Sequence, residues 1–353
     1  MKLRYGMNPH QRPATLTTVD PAHQPFRFVH GEPSYINVLD AVAGWQLIRE
    51  AATALGRPAA ASVKHVSPAG AATSGPLDAV TAATYQLDPA GTGPLTSAYV
   101  RARDADPKSS YGDFLAVSEP VDAELADLLR RVVADGVVAP GFEEGVVATL
   151  SAKKNGGFLV VEADPGVRPP PVEVREVYGL RLTQPRDEAP LTRDLFAGSE
   201  DLLLGSITAR YTQSNSVVYV RDGMTLGIGA GQQSRIDCTR IAGDKADTWW
   251  LRRHPAVRHD RTATRVQDRI AQQLQAVEAL TADERAAWLG SLDGVAFVSD
   301  GALPFADNVE VAARHGVRHI AEPGGSLRSA EVADECRKRG ITLIRTGVRL
   351  FRH

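Results

Sequence analysis

An α/β fold in two units is predicted by three features of the 353-residue sequence. Short apolar runs, at residues 136–139, 158–161 and 294–300, alternate with stretches of helical spacing, the rhythm of strand, loop and helix. Glycine- and proline-bearing turns punctuate them. A proline-rich break at residues 165–171 then divides the chain. The expected units are residues 1–165 and 194–353, with a linker and bridging strands over 166–193.

Taken in order, residues 4–11 are rich in turn formers and lack apolar periodicity, which by itself reads as a terminal segment. A loop at 30–37 precedes a helix over 38–55, with Asn37 and Asp40 spaced as a capping box and Gly56 placed to end it. Residues 58–63 read as a short buried strand that hands over to the polar pair Lys64 and His65. The alanine-rich run 70–87 is expected to be a helix, and 95–103 another. A polar loop then feeds a strand at 115–117, with Asp113 just before it. A helix at 122–131, a strand at 136–139, a helix opened by Glu143 and Glu144, and a strand at 158–161 complete the first unit.

Strands over 172–184 are expected to bridge the halves. The second unit opens with a helix over 194–211 and a hairpin turning at Asp222-Gly223. Residues 229–235 form a glycine-bearing turn into a helix carrying Arg235, a modest phosphate-site signal. Residues 244–253, with Trp249 and Trp250, read as an interface helix, and 261–289 as an amphipathic helix pair. Strands at 294–300, 317–321 and 341–346 alternate with helices ending before Gly316 and at Arg339.

A formal net charge of −2, from 40 basic and 42 acidic residues, offers a polyanion no broad basic field. Nucleic acid is excluded as principal ligand, and any phosphate site must be local. Cys238 and Cys336 stand far apart without a CxxC, which fits a reducing compartment and argues against a thiolate zinc site. Asp300 and Asp307 have no histidine at metal-ligand spacing, so no catalytic metal is expected. Neither an 18-residue apolar run nor an apolar leader is present, so the expectation is a soluble cytoplasmic protein without a membrane segment.

Lys64 beside His65, at a strand end in an α/β protein, sets a fixed cation next to the side chain that titrates near neutrality. Around this pair stand RYGMNPHQ at 4–11, PSYIN at 33–37, KHVSPAG at 64–70, REVYGLRLTQ at 175–184, YTQSNSV at 211–217, GIGAGQQSR at 227–235 and PGGS at 323–326. With these motifs in order, the chain resembles the AICAR transformylase family, the formyltransferase half of a bifunctional purine-synthesis enzyme.

The resemblance implies two cytidine-deaminase-like α/β domains, three-layered with mixed sheets and without the deaminase zinc. It implies a homodimer with active sites at the subunit interface. The reaction implied is transfer of the formyl group of 10-formyltetrahydrofolate to the 5-amino group of 5-amino-4-imidazolecarboxamide ribotide (AICAR). Lys64 and His65 match the family's catalytic pair, and Asn215 the residue that positions the reacting groups. Arg4, Tyr5, His10, Ile36, Asn37, Phe305 and Arg349 match the nucleotide side. Asp113, Gln232, Arg235 and Asp307 match the folate side.

The chemistry suits these residues. The amine of AICAR is a poor nucleophile, because its lone pair is drawn into a ring bearing a carboxamide. Attack on the formyl carbon therefore needs proton removal, which a neutral imidazole can perform. Negative charge gathers on the formyl oxygen, where one well-placed donor is worth roughly 3 kcal/mol, and Lys64 and the Asn215 amide are the candidate donors.

Three departures bear on function. The family's cyclohydrolase domain has no counterpart here, so a separate cyclohydrolase is expected to close the ring. Where the family has DAFFPF this sequence has Asp300-Gly301-Ala302-Leu303-Pro304-Phe305, and Ala302 removes a flat surface for a heteroaromatic ring. Asp104 and Pro107 also alter a loop expected to touch recognition. Two acceptors follow, AICAR itself or an azole carboxamide nucleotide analogue of nucleoside-antibiotic biosynthesis. A catalytically silent homologue would have lost Lys64, His65 or Asn215, and all three are present.

Overall fold

The computed structural model describes residues 1–258, 260 and 262–353. Strands β1 (Lys2–Leu3) and β2 (Ala14–Thr15) pair antiparallel. Strand β3 (Phe26–His30) then leads to helix α1 (Tyr35–Leu55). Its capping box is Ser34 with Asn37, three residues before the expected pair: Ser34 Oγ accepts the Asn37 amide at 3.3 Å and Asn37 Oδ1 accepts the Ser34 amide at 3.0 Å. Gly56 closes the helix in the left-handed region. Asp40 is thereby left for another task.

Strands β4 (Ala59–Lys64) and β5 (Ser67–Thr73) form a hairpin, so the expected helix over 70–87 is wrong in its first half. Helix α2 (Ala79–Tyr85) starts only after the capping residue Asp78. An alanine run carries no period, and close packing decides its state. A Cβ on Gly70 would lie 2.0 Å from the carbonyl oxygen of Ala102 in helix α3 (Pro94–Ala105), so the small residues of β5 admit that helix against the sheet. The first half continues with β6 (Asp113–Val117), α4 (Ala123–Arg131), β7 (Ala134–Ala139), α5 (Val146–Ser151) and β8 (Leu159–Ala163).

Strands β9 (Val172–Val177) and β10 (Leu180–Pro185), where strands bridging the two halves were expected, form an exposed ribbon that pairs only with itself among the described strands. The second half comprises α6 (Glu200–Arg210), β11 (Val217–Arg221), β12 (Met224–Gly229), α7 (Arg235–Leu251), α8 (Val266–Glu278), α9 (Ala282–Leu289), β13 (Val295–Ser299), α10 (Asp307–Arg314), β14 (Val317–Glu322), α11 (Ser329–Lys338) and β15 (Thr342–Arg345). Arg261, where the pair α8 and α9 was expected to begin, lies outside the described residues.

Eleven described strands form one sheet in the order β15-β14-β13-β11-β12-β5-β4-β6-β7-β8-β3. The order repeats itself. In each half a hairpin (β4-β5, β11-β12) is followed by a strand antiparallel to its first arm (β6, β13) and then by two parallel strands. Strands β5 and β12 meet antiparallel, with Met224 opposite Ala72. Helices α1 and α6 bury Leu47 and Leu203 in the core on one face; Tyr99 of α3 and Phe297 of β13 belong to the core on the other. Both cores draw on both halves, so burial divides by sheet face and not at residue 166.

This topology collects the expected site at one end of the sheet. The carboxyl ends of β12, β13, β14 and β15, the start of β11 and the β4-β5 turn all lie there. Crevices beyond the carboxyl ends of parallel strands are where α/β sheets bind ligands.

Candidate active site

The β4-β5 turn consists of His65 and Val66, both left-handed at φ 55° and 63°. This is a type I′ geometry, which Asn-Gly or Asp-Gly adopts readily and a β-branched residue does not. From α1, Asp40 Oδ1 accepts the Val66 amide at 2.6 Å, and the His65 end of the turn faces the same carboxylate. Burial pushes the Asp40 carboxyl up to about 6; the Val66 amide and the nearby His65 oppose that rise, and Asp135 adds to it. On the arm before the turn, Lys64 Nζ donates to the Tyr111 carbonyl at 2.6 Å, leaving two of its hydrogens uncommitted there.

Beside the turn, the start of α1 gathers the N-terminal segment. Arg4 Nη2 donates to Asn37 Oδ1 at 3.0 Å, and its guanidinium lies 5.5 Å from the Tyr5 ring centroid. The Tyr35 amide donates to the Tyr5 carbonyl at 3.1 Å. Arg4, Tyr5 and Asn37 thus meet one helical turn from Asp40, with Ile36 half-buried next to Asn37 and His10 exposed in the loop beyond.

At the same sheet end an open cleft of about 640 Å³ is lined by Asn215, Arg235, Ala302, Pro304, Arg349 and Phe351, among others. Asn215 is clamped in its wall. Its Nδ2 donates to the carbonyls of Gln232 and Gln233 at 2.8 and 3.1 Å, and its Oδ1 accepts Arg235 Nη2 at 2.7 Å. Gln232 serves through its main chain, since its own Nε2 turns to the Ala230 carbonyl. Arg235 Nη1 pairs with Asp300 and donates to the Ser216 carbonyl at 3.0 Å. Asp300, fully buried, also accepts Ser214 Oγ at 2.5 Å and the Ser216 amide at 3.0 Å. Arg349 is exposed and stacks on Phe351 at 4.6 Å, with no carboxylate partner among the described residues. Phe305 is exposed beneath the Arg328 guanidinium, and Asp307 opens α10.

Lys64 and His65 do not line this cleft. The link between turn and cleft is Ser67, whose Oγ accepts the Gln213 amide at 3.5 Å, a long contact.

Asp113 is fully buried: it pairs with Arg103 at 2.5 Å and accepts Ser62 Oγ at 2.7 Å, and burial raises its carboxyl pKa. It braces β4, β6 and α3 against one another. Asp104, expected in a recognition loop, is corrected by the structure: it is fully buried in α3, with Arg252 at 2.6 Å and Arg253 at 2.8 Å. The change from the family pattern is absorbed as an ion pair tying α3 to the segment after α7.

Two site residues escaped the sequence reading. Asp40 reads as a helix cap from local spacing, and Asp300 reads as an unsupported metal ligand. Only contacts across the fold reveal their partners. Among the described residues no group of three or more His, Cys, Asp or Glu side chains is placed to hold a metal ion, and no helix is long and apolar enough to cross a membrane.

Residues 1–245, well over half of the chain, match the family described as AICARFT/IMPCHase bienzyme. Curated relatives include the bifunctional purine biosynthesis protein PurH of Cereibacter sphaeroides (strain ATCC 17025 / ATH 2.4.3), 34% identical over 366 residues, and that of Ruegeria sp. (strain TM1040), 33% identical over 371. Each alignment covers 99% of this chain and 59% of the relative, so the chain spans about three-fifths of the length of the curated relatives it matches. The seven motifs, and the gathering of most of their polar residues at one sheet end, agree with that match: the chain belongs to the AICARFT/IMPCHase bienzyme family.

Proposed function

We propose that the chain transfers the formyl group of 10-formyltetrahydrofolate to the 5-amino group of AICAR, giving the formamido ribotide and tetrahydrofolate. The observation that carries this reading is Arg349, a cation without a carboxylate partner among the described residues, facing a cleft whose wall holds Asn215 in one orientation. A local cation suits a phosphate monoester in a chain of net charge −2.

In this mechanism the AICAR amine attacks the formyl carbon while His65 takes its proton. The oxygen of the tetrahedral adduct gains charge and is stabilised by Lys64, which spends one hydrogen on the Tyr111 carbonyl and keeps two for the adduct. Collapse breaks the bond to folate N10, which takes the proton back from the His65 imidazolium. Asn215 has both Nδ2 hydrogens on main-chain carbonyls and so positions the wall of the site instead of donating to the adduct.

The separation of Lys64 and His65 from the cleft supports a homodimer in which two subunits complete each site. The exposed ribbon of Val172, Val174, Val177, Leu180 and Leu182 supplies apolar surface for such an assembly. The repeated five-strand order supports two cytidine-deaminase-like units joined at β5 and β12.

A second reading, an azole carboxamide nucleotide as acceptor, is favoured by Ala302, which lines the cleft without an aromatic face. Purified protein given 10-formyltetrahydrofolate with either acceptor decides between them. Faster release of tetrahydrofolate with AICAR is the expected result; faster release with an aminopyrazole carboxamide ribotide contradicts it.

A further inference from the structure

The repeated topology contains the same turn device twice, with different residues. In the second half, the β11-β12 turn is Asp222-Gly223, with φ 54° and 74°, and the carboxylate of Asp201 on α6 accepts both turn amides, at 2.9 and 2.6 Å. In the first half, Asp40 on α1 stands in the corresponding place and accepts the amide of Val66 at 2.6 Å, with the His65 end of the turn facing it. The two turns differ in what they need. Asp-Gly adopts left-handed backbone at little cost, so Asp201 braces a turn that its sequence already favours. His65-Val66 does not: a valine at φ 63° is an outlier that persists only where the surroundings hold it.

Asp40 is positioned to do that holding. It is buried in α1, three residues past Asn37 of the capping box, and its charge faces His65 and, from β7, Asp135. A carboxylate that accepts the Val66 amide gives that donor of the turn a charge-assisted partner. The apex side chain of this turn is the imidazole assigned to proton transfer.

We propose that Asp40 is a positioning residue for formyl transfer: by accepting the Val66 amide of the His65-Val66 turn, its carboxylate fixes the direction in which the Lys64 and His65 side chains leave the sheet. This rests on the formyl-transfer reading above. In an Asp40→Asn variant the amide keeps one acceptor oxygen but loses the charge that strengthens its bond to the Val66 amide, so the turn relaxes while the side-chain volume is kept.

The test combines kinetics with an activity-independent probe. In the Asp40→Asn protein, kcat is expected to fall roughly 10- to 100-fold, with KM for both substrates within about threefold of wild type. Adding Val66→Gly, which copies the Asp222-Gly223 solution, is expected to recover about tenfold of that loss by removing the conformational penalty. Amide exchange at His65 and Val66 should speed up in Asp40→Asn and slow again when Val66→Gly is added. Unchanged kcat in Asp40→Asn, or a loss that Val66→Gly leaves in place, overturns the proposal. If the wild-type protein forms no tetrahydrofolate, the functional reading fails; unchanged exchange at the two turn amides then shows separately that Asp40 does not hold the turn.

Discussion

Arg235 Nη2 donates to Asn215 Oδ1 at 2.7 Å while the other terminal nitrogen of the same guanidinium pairs with buried Asp300. The direction of the Asn215 amide is therefore set by an ion pair beneath the cleft. An Arg235→Lys variant keeps a charge near Asp300 but loses the fork that reaches both partners, so the protein should fold and kcat/KM should drop roughly 10- to 100-fold. Arg235→Ala leaves Asp300 buried and unpaired, and should lower stability by about 3–5 kcal/mol. Steady-state kinetics and urea unfolding check the two halves of this expectation.

Arg349 offers the cleft an exposed cation, and its loss should be felt in binding alone. Arg349→Gln is expected to raise KM for AICAR by roughly 10- to 100-fold, the worth of a charge-assisted hydrogen bond to phosphate, with kcat and melting temperature unchanged. The riboside, which lacks the phosphate, should lose little by the same substitution. Equal losses for ribotide and riboside would place the phosphate elsewhere.

The Asp104 ion pair with Arg252 and Arg253 predicts the opposite pattern. Asp104→Ala leaves the fully buried Arg252 guanidinium without a carboxylate, while Arg253 keeps Asp78 at 2.8 Å, and should lower stability by about 3–5 kcal/mol. The ratio of kcat/KM for AICAR and for an azole analogue should not move. A shift in that ratio would return this position to recognition.

How much of this was legible in the sequence follows from the range of the interactions. The Asp222-Gly223 turn and the Gly56 helix end were readable, because each is specified by one or two residues in a conformation that they favour. The helix expected over 70–87 was half wrong, because alanine fits strand and helix alike, and contact between Gly70 and Ala102, across a turn and a helix, decides the outcome. The motifs marked Lys64, His65, Asn215 and Arg349, but not what holds them. Asp40 and Val66 are 26 positions apart and Arg235 and Asp300 are 65 apart, separations at which no local pattern names the partner.

The Asp40 carboxyl also gives stability a pH dependence of known sign. Unfolded, it titrates in the ordinary range near 4; folded, burial pushes it up to about 6. Between those values the folded chain holds a proton that the unfolded chain has lost. This group's contribution is therefore full below about pH 4 and is lost as pH rises through about 6, by roughly 3 kcal/mol. Asp40→Asn does not titrate, so wild-type stability relative to that variant, from urea midpoints, should fall by that amount between about pH 4 and about pH 7. The ionisation that lowers stability is the one that holds the His65-Val66 turn.

Proton transfer by His65 in formyl transfer to AICAR is tested most directly by single-turnover formation of tetrahydrofolate from 10-formyltetrahydrofolate and AICAR, in wild type and His65→Ala side by side, with AICAR affinity measured by calorimetry. Formyl transfer by the wild-type protein is expected, with a loss of about 10²- to 10⁴-fold in His65→Ala and AICAR binding retained. Absence of tetrahydrofolate with the wild-type protein, or near-normal turnover by His65→Ala, would contradict it.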